Sequence, residues 1–233
     1  MAKPNKFFGN SPNPAVALPA WGMLIMALAF VFLPSLRTAA LILYAADWFA
    51  LGIAALTAKR KQSLVNYWGS CVPIVVAIVL LNFWYRRYTT PWMRNIFLVA
   101  LGFVLLPLPM LLIAEKQVPN MRAGREKYWL RAVALTMLVF LAAISWAAAS
   151  NITFDQSAGS LRTACITEKW RNSSRTGGQY HIRVAVEGLA ESLNFDVGRD
   201  AYRRLSEGDA VTVTEYPGFW GAPYYTWEIP QSP

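Results

Sequence analysis

Charge is scarce in this chain: of 233 residues, Asp, Glu, Lys and Arg together make up 15%, against 55% apolar residues. Ordinary soluble domains carry about 25% charged and roughly 45–50% apolar residues. So thin a supply excludes a disordered chain and also a single water-soluble globule. Histidine is reduced to one residue and cysteine to two, which leaves little for metal or thiol chemistry. Aromatic residues, in contrast, are plentiful: ten Trp, ten Tyr and twelve Phe. In a charge-poor chain they point to a bilayer as part of the solvent.

Acids are rarest in the first part. Residues 1–149 hold 14 Lys/Arg but only Asp47, Glu115 and Glu126 as acids, whereas residues 150–233 hold eight Lys/Arg and ten acids. A net charge of +9 often signals nucleic acid. Here the cations sit at the ends of apolar runs, not along a polar stripe, so nucleic acid is not an expected partner.

Five apolar stretches fill the first 150 residues: 15–34, 38–58, 64–85, 95–114 and 129–149. Each is about 20 residues long, enough for a helix to cross a ~30 Å hydrocarbon core. Lipid offers the backbone no hydrogen-bond partner, so helices are the fold such runs require. The first follows Lys3 and Lys6, as in a signal peptide. It outruns the usual apolar region of about 7–15 residues, and no convincing cleavage site precedes Arg37, so it reads as a retained helix.

With five spans, one side receives Lys3, Lys6, Lys59, Arg60, Lys61, Lys116, Arg122, Arg125 and Lys127, and the other only Arg37, Arg86, Arg87 and Arg94. The positive-inside bias then puts the N-terminal segment 1–14 in the cytoplasm of a bacterial inner membrane and the C-terminal tail outside, in the periplasm. The loop Arg86–Arg94 is basic yet assigned outside. A re-entrant run would reduce the spans to four and move the tail to the cytoplasm.

Trp84, Tyr85, Tyr88 and Trp92, with Tyr128, Trp129 and Trp146, flank these runs as headgroup-level belts. A ligand-binding cage over 84–88 is the sharper alternative. Pro107 and Pro109 remove two backbone donors late in the fourth run and predict a kink or a broken end there.

Asp47 is the single acid inside a span, and an ionised carboxylate at that depth costs about 2.5–3.5 kcal/mol. Asn66, Asn82, Tyr44 and Trp48 are its expected donors. Together Asp47, Asn66 and Asn82 form either an ion or proton site or interhelical glue, the glue being the simpler reading. Intramembrane proteolysis lacks its parts, since the spans hold no His, one carboxylate and no H-E-x-x-H helix.

After Ser150 the composition changes. Residues 150–160 read as a linker and 161–233 as a β domain. Strands are expected over 163–170, 179–187, 192–197, 210–216 and 224–229, with a turn at 172–178 and a helical turn at 200–206. Tyr180, Ile182, Val184 and Val186 share one face, His181 and Arg183 the other. Pro217-Gly218-Phe219-Trp220-Gly221 is a turn with two residues suited to positive φ. The expected fold is therefore an α-helical multi-pass membrane bundle followed by a small β-rich domain, a bent sheet or partly open barrel. Its general shape is similar to little barrels of oligonucleotide/oligosaccharide-binding or SH3-like type, an analogy of architecture alone.

His181 reads as a solvated residue, and Cys165, the tail's one cysteine, can form no internal disulfide. Asp196, Asp200, Glu207 and Asp209 lack calcium-loop spacing. No phosphate loop, dinucleotide fingerprint or serine elbow occurs, so no cofactor is expected and no enzyme. Phe219, Trp220, Tyr224, Tyr225 and Trp227 are the candidate partner-binding residues, shared between a small core and an exposed aromatic anchor. The expected function is non-enzymatic: the bundle anchors in the bilayer, and the β domain binds another envelope protein, or a toxin in the manner of an immunity protein. The rival is a transporter or channel component around Asp47. A third class, a lipid- or glycan-modifying enzyme, rests on Arg86, Arg87 and Arg94 receiving anionic headgroups.

Overall fold

The computed structural model describes residues 14–58, 68–118, 127–174 and 177–229. Lys3, Lys6, Lys59, Arg60, Lys61, Arg122 and Arg125, which carry most of the sidedness argument, lie outside the described residues, as does Asn66. Helices α1 (Pro14–Phe32), α2 (Arg37–Thr57), α3 (Trp68–Tyr85), α4 (Arg94–Val104), α5 (Pro107–Lys116) and α6 (Tyr128–Thr153) precede the strands. Then come β1 (Ser160–Ser174), β2 (Gly177–Val186), β3 (Leu193–Val197), α7 (Arg199–Arg204), β4 (Ala210–Tyr216) and β5 (Tyr224–Glu228). The chain divides into two compact units, residues 1–81 with 99–147 and residues 82–98 with 148–233.

In the first unit, α1 and α2 pack side by side across a short 3₁₀ turn, Pro34–Leu36. Arg37 fastens that corner: its Nε donates to the Phe30 carbonyl at 3.2 Å and its guanidinium lies over the Phe30 ring. A carbonyl in the last turn of α1 thereby finds a partner that lipid would not supply. Ala20, Met23, Ala27 and Phe30 are buried on α1, and Leu41, Tyr44, Trp48 and Leu51 on α2, both at helical spacing. The opposite faces stay apolar, with Leu18, Ile25, Ile42 and Ile53 exposed. A helix that is oily all round suits lipid, not water.

Ala15–Phe32, Pro34–Thr57 and Tyr128–Thr153 are long and apolar enough to cross a membrane. The third run contains the shorter apolar helix Cys71–Tyr85, and the fourth is broken, with α4 and α5 bent by 48°. The break falls at Leu105–Leu106, just before Pro107 and Pro109, where the expected donors are missing. Phe103 stacks on Trp146 at 4.8 Å and meets Phe49 edge-on, while Trp146 Nε1 donates to the Leu41 carbonyl at 2.9 Å. Trp146 is thus a bundle residue, not the belt residue expected. Its indole N–H is satisfied by a helix carbonyl instead of a headgroup.

In the second unit the strands form an antiparallel, nearly closed sheet in the order β3-β2-β1-β4-β5. Its core is Ala164, Ile166, Ile182, Val184, Val186, Leu193, Phe195, Val197, Leu205, Val211, Val213 and Tyr225. Alternation puts the strand side chains among these on one face, with Leu205 packed from the end of α7, and burying each large one contributes about 1.5–3 kcal/mol. The hairpin β1–β2 is longer than expected: Asn172, Ser173 and Ser174, read as part of a turn, pair with Gln179, Gly178 and Gly177.

Candidate functional site

β1 carries one irregularity, and it shapes the outer surface. Ile166 pairs with Val184, yet Glu168 pairs with Arg183, so Thr167 is an extra residue in the ladder. A bulge of one residue inverts which side chains face out beyond it. Glu168 and Trp170 therefore join the outer face of β2, while Lys169 turns inward, its Nζ donating to the Leu205 carbonyl over the Tyr202 ring.

Two cross-strand rows result, Trp170–His181–Asp196 and Glu168–Arg183–Asn194. Trp170 stacks on the imidazole at 5.2 Å, and the Arg183 guanidinium lies 5.3 Å from the Trp170 ring. His181 Nδ1 is 2.7 Å from Asp196 Oδ1, and its Nε2 is 3.4 Å from Asn172 Nδ2. With the proton assigned to Nδ1, it donates to the carboxylate and Nε2 accepts from the amide. Arg183 pairs with Glu168 and donates from Nε to Asn194 Oδ1 at 3.1 Å. Both imidazole nitrogens thus have side-chain partners, Asp196 on Nδ1 and Asn172 on Nε2. Among the described residues no three His, Cys, Asp or Glu side chains converge as a metal site.

The joint between helix ends and sheet is built from small polar groups. Asn151, fully buried on α6, donates from Nδ2 to the Ala222 carbonyl at 2.8 Å and accepts from the Trp220 N–H at 2.9 Å. Its own carbonyl accepts from the Phe219 N–H. Asp155 accepts from the Gly218 N–H at 3.0 Å, and Trp220 Nε1 donates to Ser150 Oγ at 2.8 Å. Residues 150–155, read as the start of a free linker, are therefore a rigid corner. α6 continues through Thr153 because the turn 217–222 satisfies the polar groups at its end.

Thr89 closes the sheet. It exchanges two backbone hydrogen bonds with Tyr225 of β5, at 3.1 and 2.9 Å, and its hydroxyl donates to the Asn194 carbonyl of β3 at 2.7 Å. One residue from the loop after α3 thus occupies both sheet edges, which would otherwise present unpaired backbone groups.

The predicted aromatic candidates divide sharply. Tyr224 and Tyr225 are buried: Tyr224 lies between Tyr216 at 4.8 Å and Tyr88 at 5.7 Å, and Tyr225 Oη donates to Glu215 at 3.1 Å. Burial, then the Asp155 carboxylate, push the Tyr224 phenol well up. Trp227 packs on the core, and Trp220 is half-buried in the joint. Of the five, Phe219 alone is openly exposed. Trp84 is buried and rings onto Tyr88 at 5.1 Å, so it joins this same aromatic cluster.

Asp47 and Asn82 belong to different units, and Asn66 lies outside the described residues. Asp47 is half-buried with its carboxylate over Gly22 of α1, where an added Cβ would stand 2.6 Å from Oδ2. Tyr44 Oη and Trp48 Nε1, two of its expected donors, are buried and make no geometric hydrogen bond to Asp47 among the described residues. The buried charge pair is elsewhere: Glu115, 2% exposed, meets Arg131 at 3.5 Å. Both residues were visible at the facing ends of the fourth and fifth runs, which was the available signal. Trp170 and Asp196 gave none, because the bulge that aligns them has no sequence mark.

Comparison with known protein families, with curated proteins and with solved structures finds no match for this chain.

Proposed function

We propose that the chain is a non-enzymatic, multi-pass protein of the bacterial inner membrane whose β domain docks a partner protein, either another envelope component or a toxin held in an immunity-like manner. The observation that carries this reading is the pair of in-register rows on β1–β3, in which a half-buried indole, a mostly covered imidazole and a half-buried guanidinium stand beside exposed carboxylates on one sheet face. Trp and Arg at the centre of a contact supply most of the binding energy in protein interfaces. Of the 219–227 aromatics only Phe219 stays openly exposed, the rest packing in the core and joint, which favours Trp170, His181 and Arg183 as the docking face.

The five-span arrangement rests on the positive-inside bias for its sidedness, N-terminus cytoplasmic and β domain periplasmic, and on Thr89 for the parity of its last crossings. The Thr89 bonds to β3 and β5 require the 86–93 loop and the C-terminal domain to share one side. That is the result of an outward third crossing, an inward broken fourth and an outward fifth. Strand order and the helix between β3 and β4 support a small barrel of the oligonucleotide/oligosaccharide-binding architecture, which by itself assigns no ligand.

The test is site-specific photocrosslinking in cells with the full chain. A crosslinker at Trp170 is expected to give one discrete protein adduct, and one at Arg203 of α7 none. Arg183→Ala at unchanged abundance should weaken the adduct about tenfold or more, the scale of an interface hot spot. Absence of any adduct at 170, or an adduct indifferent to Arg183→Ala, overturns the reading.

A further inference from the structure

Three cations near the sheet closure are unused by the fold. Arg86, Arg87 and Arg94 are exposed, and among the described residues their side chains have neither an ion-pair nor a hydrogen-bond partner. Beside Arg94 opens a cavity of about 560 Å³ whose walls include Trp92, Met93, Arg94, Asn95, Gly221 and Pro223. Its far wall is fixed. Asn95 Nδ2 donates to the carbonyls of Trp220 at 3.2 Å and Gly221 at 2.9 Å, which pins the turn against the start of α4. The cavity is therefore a built feature of this corner, not a gap between loose loops.

Chemistry changes in order along the chain at its mouth. Trp92 is 54% exposed, Arg94 follows, and then Phe97 and Leu98 present bare apolar surface, 45% and 61% exposed. At ~1.5 Å per helical residue, Arg94 and Leu98 lie about 6 Å apart along the helix axis. An amphipathic ring, a cation and an oily face in that sequence reproduce the profile of a lipid, from headgroup through phosphate to acyl chain.

We propose that this cavity binds the phosphate headgroup of an anionic phospholipid. Arg94 neutralises the phosphate, Trp92 lies at headgroup level, and the acyl chains run over Phe97 and Leu98. Arg86 and Arg87 add to the local positive field. A free phosphate ion shares the charge but has no use for the apolar strip, which is why the lipid is the assigned source. The site is separate from the docking face on β1–β3 and stands or falls independently of it.

Native mass spectrometry tests this on the full chain in detergent, incubated with equal amounts of phosphatidylglycerol and phosphatidylcholine. The wild-type protein is expected to retain phosphatidylglycerol in preference. Arg94→Gln should lower that adduct about fivefold, the weight of one cation at an anionic surface, while Arg94→Lys keeps most of it. Arg203→Gln on α7 should leave it unchanged. Trp92→Ala, at an exposed position, provides a second variant that also lowers the adduct if Arg94→Gln fails to fold. Equal retention of both lipids, or equal behaviour of Arg94→Gln and Arg203→Gln, overturns the proposal. Displacement of the adduct by excess inorganic phosphate would assign the cavity to a free anion and overturn the lipid just as surely.

Discussion

Gly218 has φ +74°, in the left-handed region that costs a non-glycine residue about 1–3 kcal/mol. Space is denied there as well, because an added Cβ would collide with the Ala222 carbonyl oxygen and the Asn151 amide. Those are two of the groups that hold the turn to α6. Gly218→Ala is therefore expected to lower stability by more than about 2 kcal/mol, read as a fall in the thermal unfolding midpoint in detergent. Gly198 is the comparison: nothing lies within 4 Å of its added Cβ and its φ is −67°. It begins α7, so Gly198→Ser should change stability by no more than a few tenths of a kcal/mol. Equal losses for the two variants would show that the turn is not the anchor. Tyr225 gives the same corner a pH signature. Its phenol is pushed up to about 12, first by burial and then by Glu215, with Arg162 pulling the other way. In the unfolded chain the phenol ionises near ~10. Between those values the unfolded state loses a proton that the native state keeps, so stability is full below pH ~10 and falls as pH rises towards about 12. Tyr225→Phe should make that decline shallower and remove a late phenolate from the ultraviolet titration. An unchanged titration would mean that the phenol is not held neutral by this environment.

At the scale of elements, the informative contrast is between strands and their closure. Tyr180, Ile182, Val184 and Val186 alternate with polar residues, and Leu193, Phe195 and Val197 do the same, so β2 and β3 were legible in the sequence within a residue or two. The kink before Pro107 was legible too, because a missing N–H is a local property. Thr89 was not. Its hydroxyl partner lies 105 residues away, and nothing in Tyr-Thr-Thr-Pro distinguishes a sheet-closing residue from a loop threonine. The aromatic groups at 84–92 and 216–227 were visible as two clusters, but only tertiary structure makes them one. Thr89 separates two contributions by substitution. Thr89→Val keeps the backbone pairing with Tyr225 and removes the hydroxyl donor to Asn194, which should cost about 1 kcal/mol. Thr89→Pro also removes the N–H that bonds the Tyr225 carbonyl and should cost about 3 kcal/mol. Hydrogen exchange reads the difference locally: the Tyr225 amide should exchange much faster in Thr89→Pro than in Thr89→Val. If the two variants match, β5 does not depend on this bridge.

For the whole molecule, the consequence of that bridge is topological. Backbone hydrogen bonds cannot reach through a ~30 Å hydrocarbon core, so in the proposed membrane arrangement the segment carrying Arg86 and Arg87 and the strand carrying Tyr225 face the same water. Charge counting had left this loop in doubt, because it is basic yet assigned opposite the cation-rich side, and that count treats each loop alone. A contact between two segments constrains them jointly, and no single-loop tally contains it. Cys165 is exposed on β1 and serves as a native reporter for the domain. In a Cys71→Ala background, Arg87→Cys adds a reporter on the loop, at an exposed residue with no side-chain partner among the described residues. A membrane-impermeant maleimide added to intact spheroplasts is expected to label both thiols, and to the same extent as after lysis. Labelling of Cys165 without residue 87, or of residue 87 without Cys165, would separate the loop from the domain and remove the support for an outward third crossing. Labelling of both only after lysis would keep the pair together but turn the molecule over, placing the β domain in the cytoplasm.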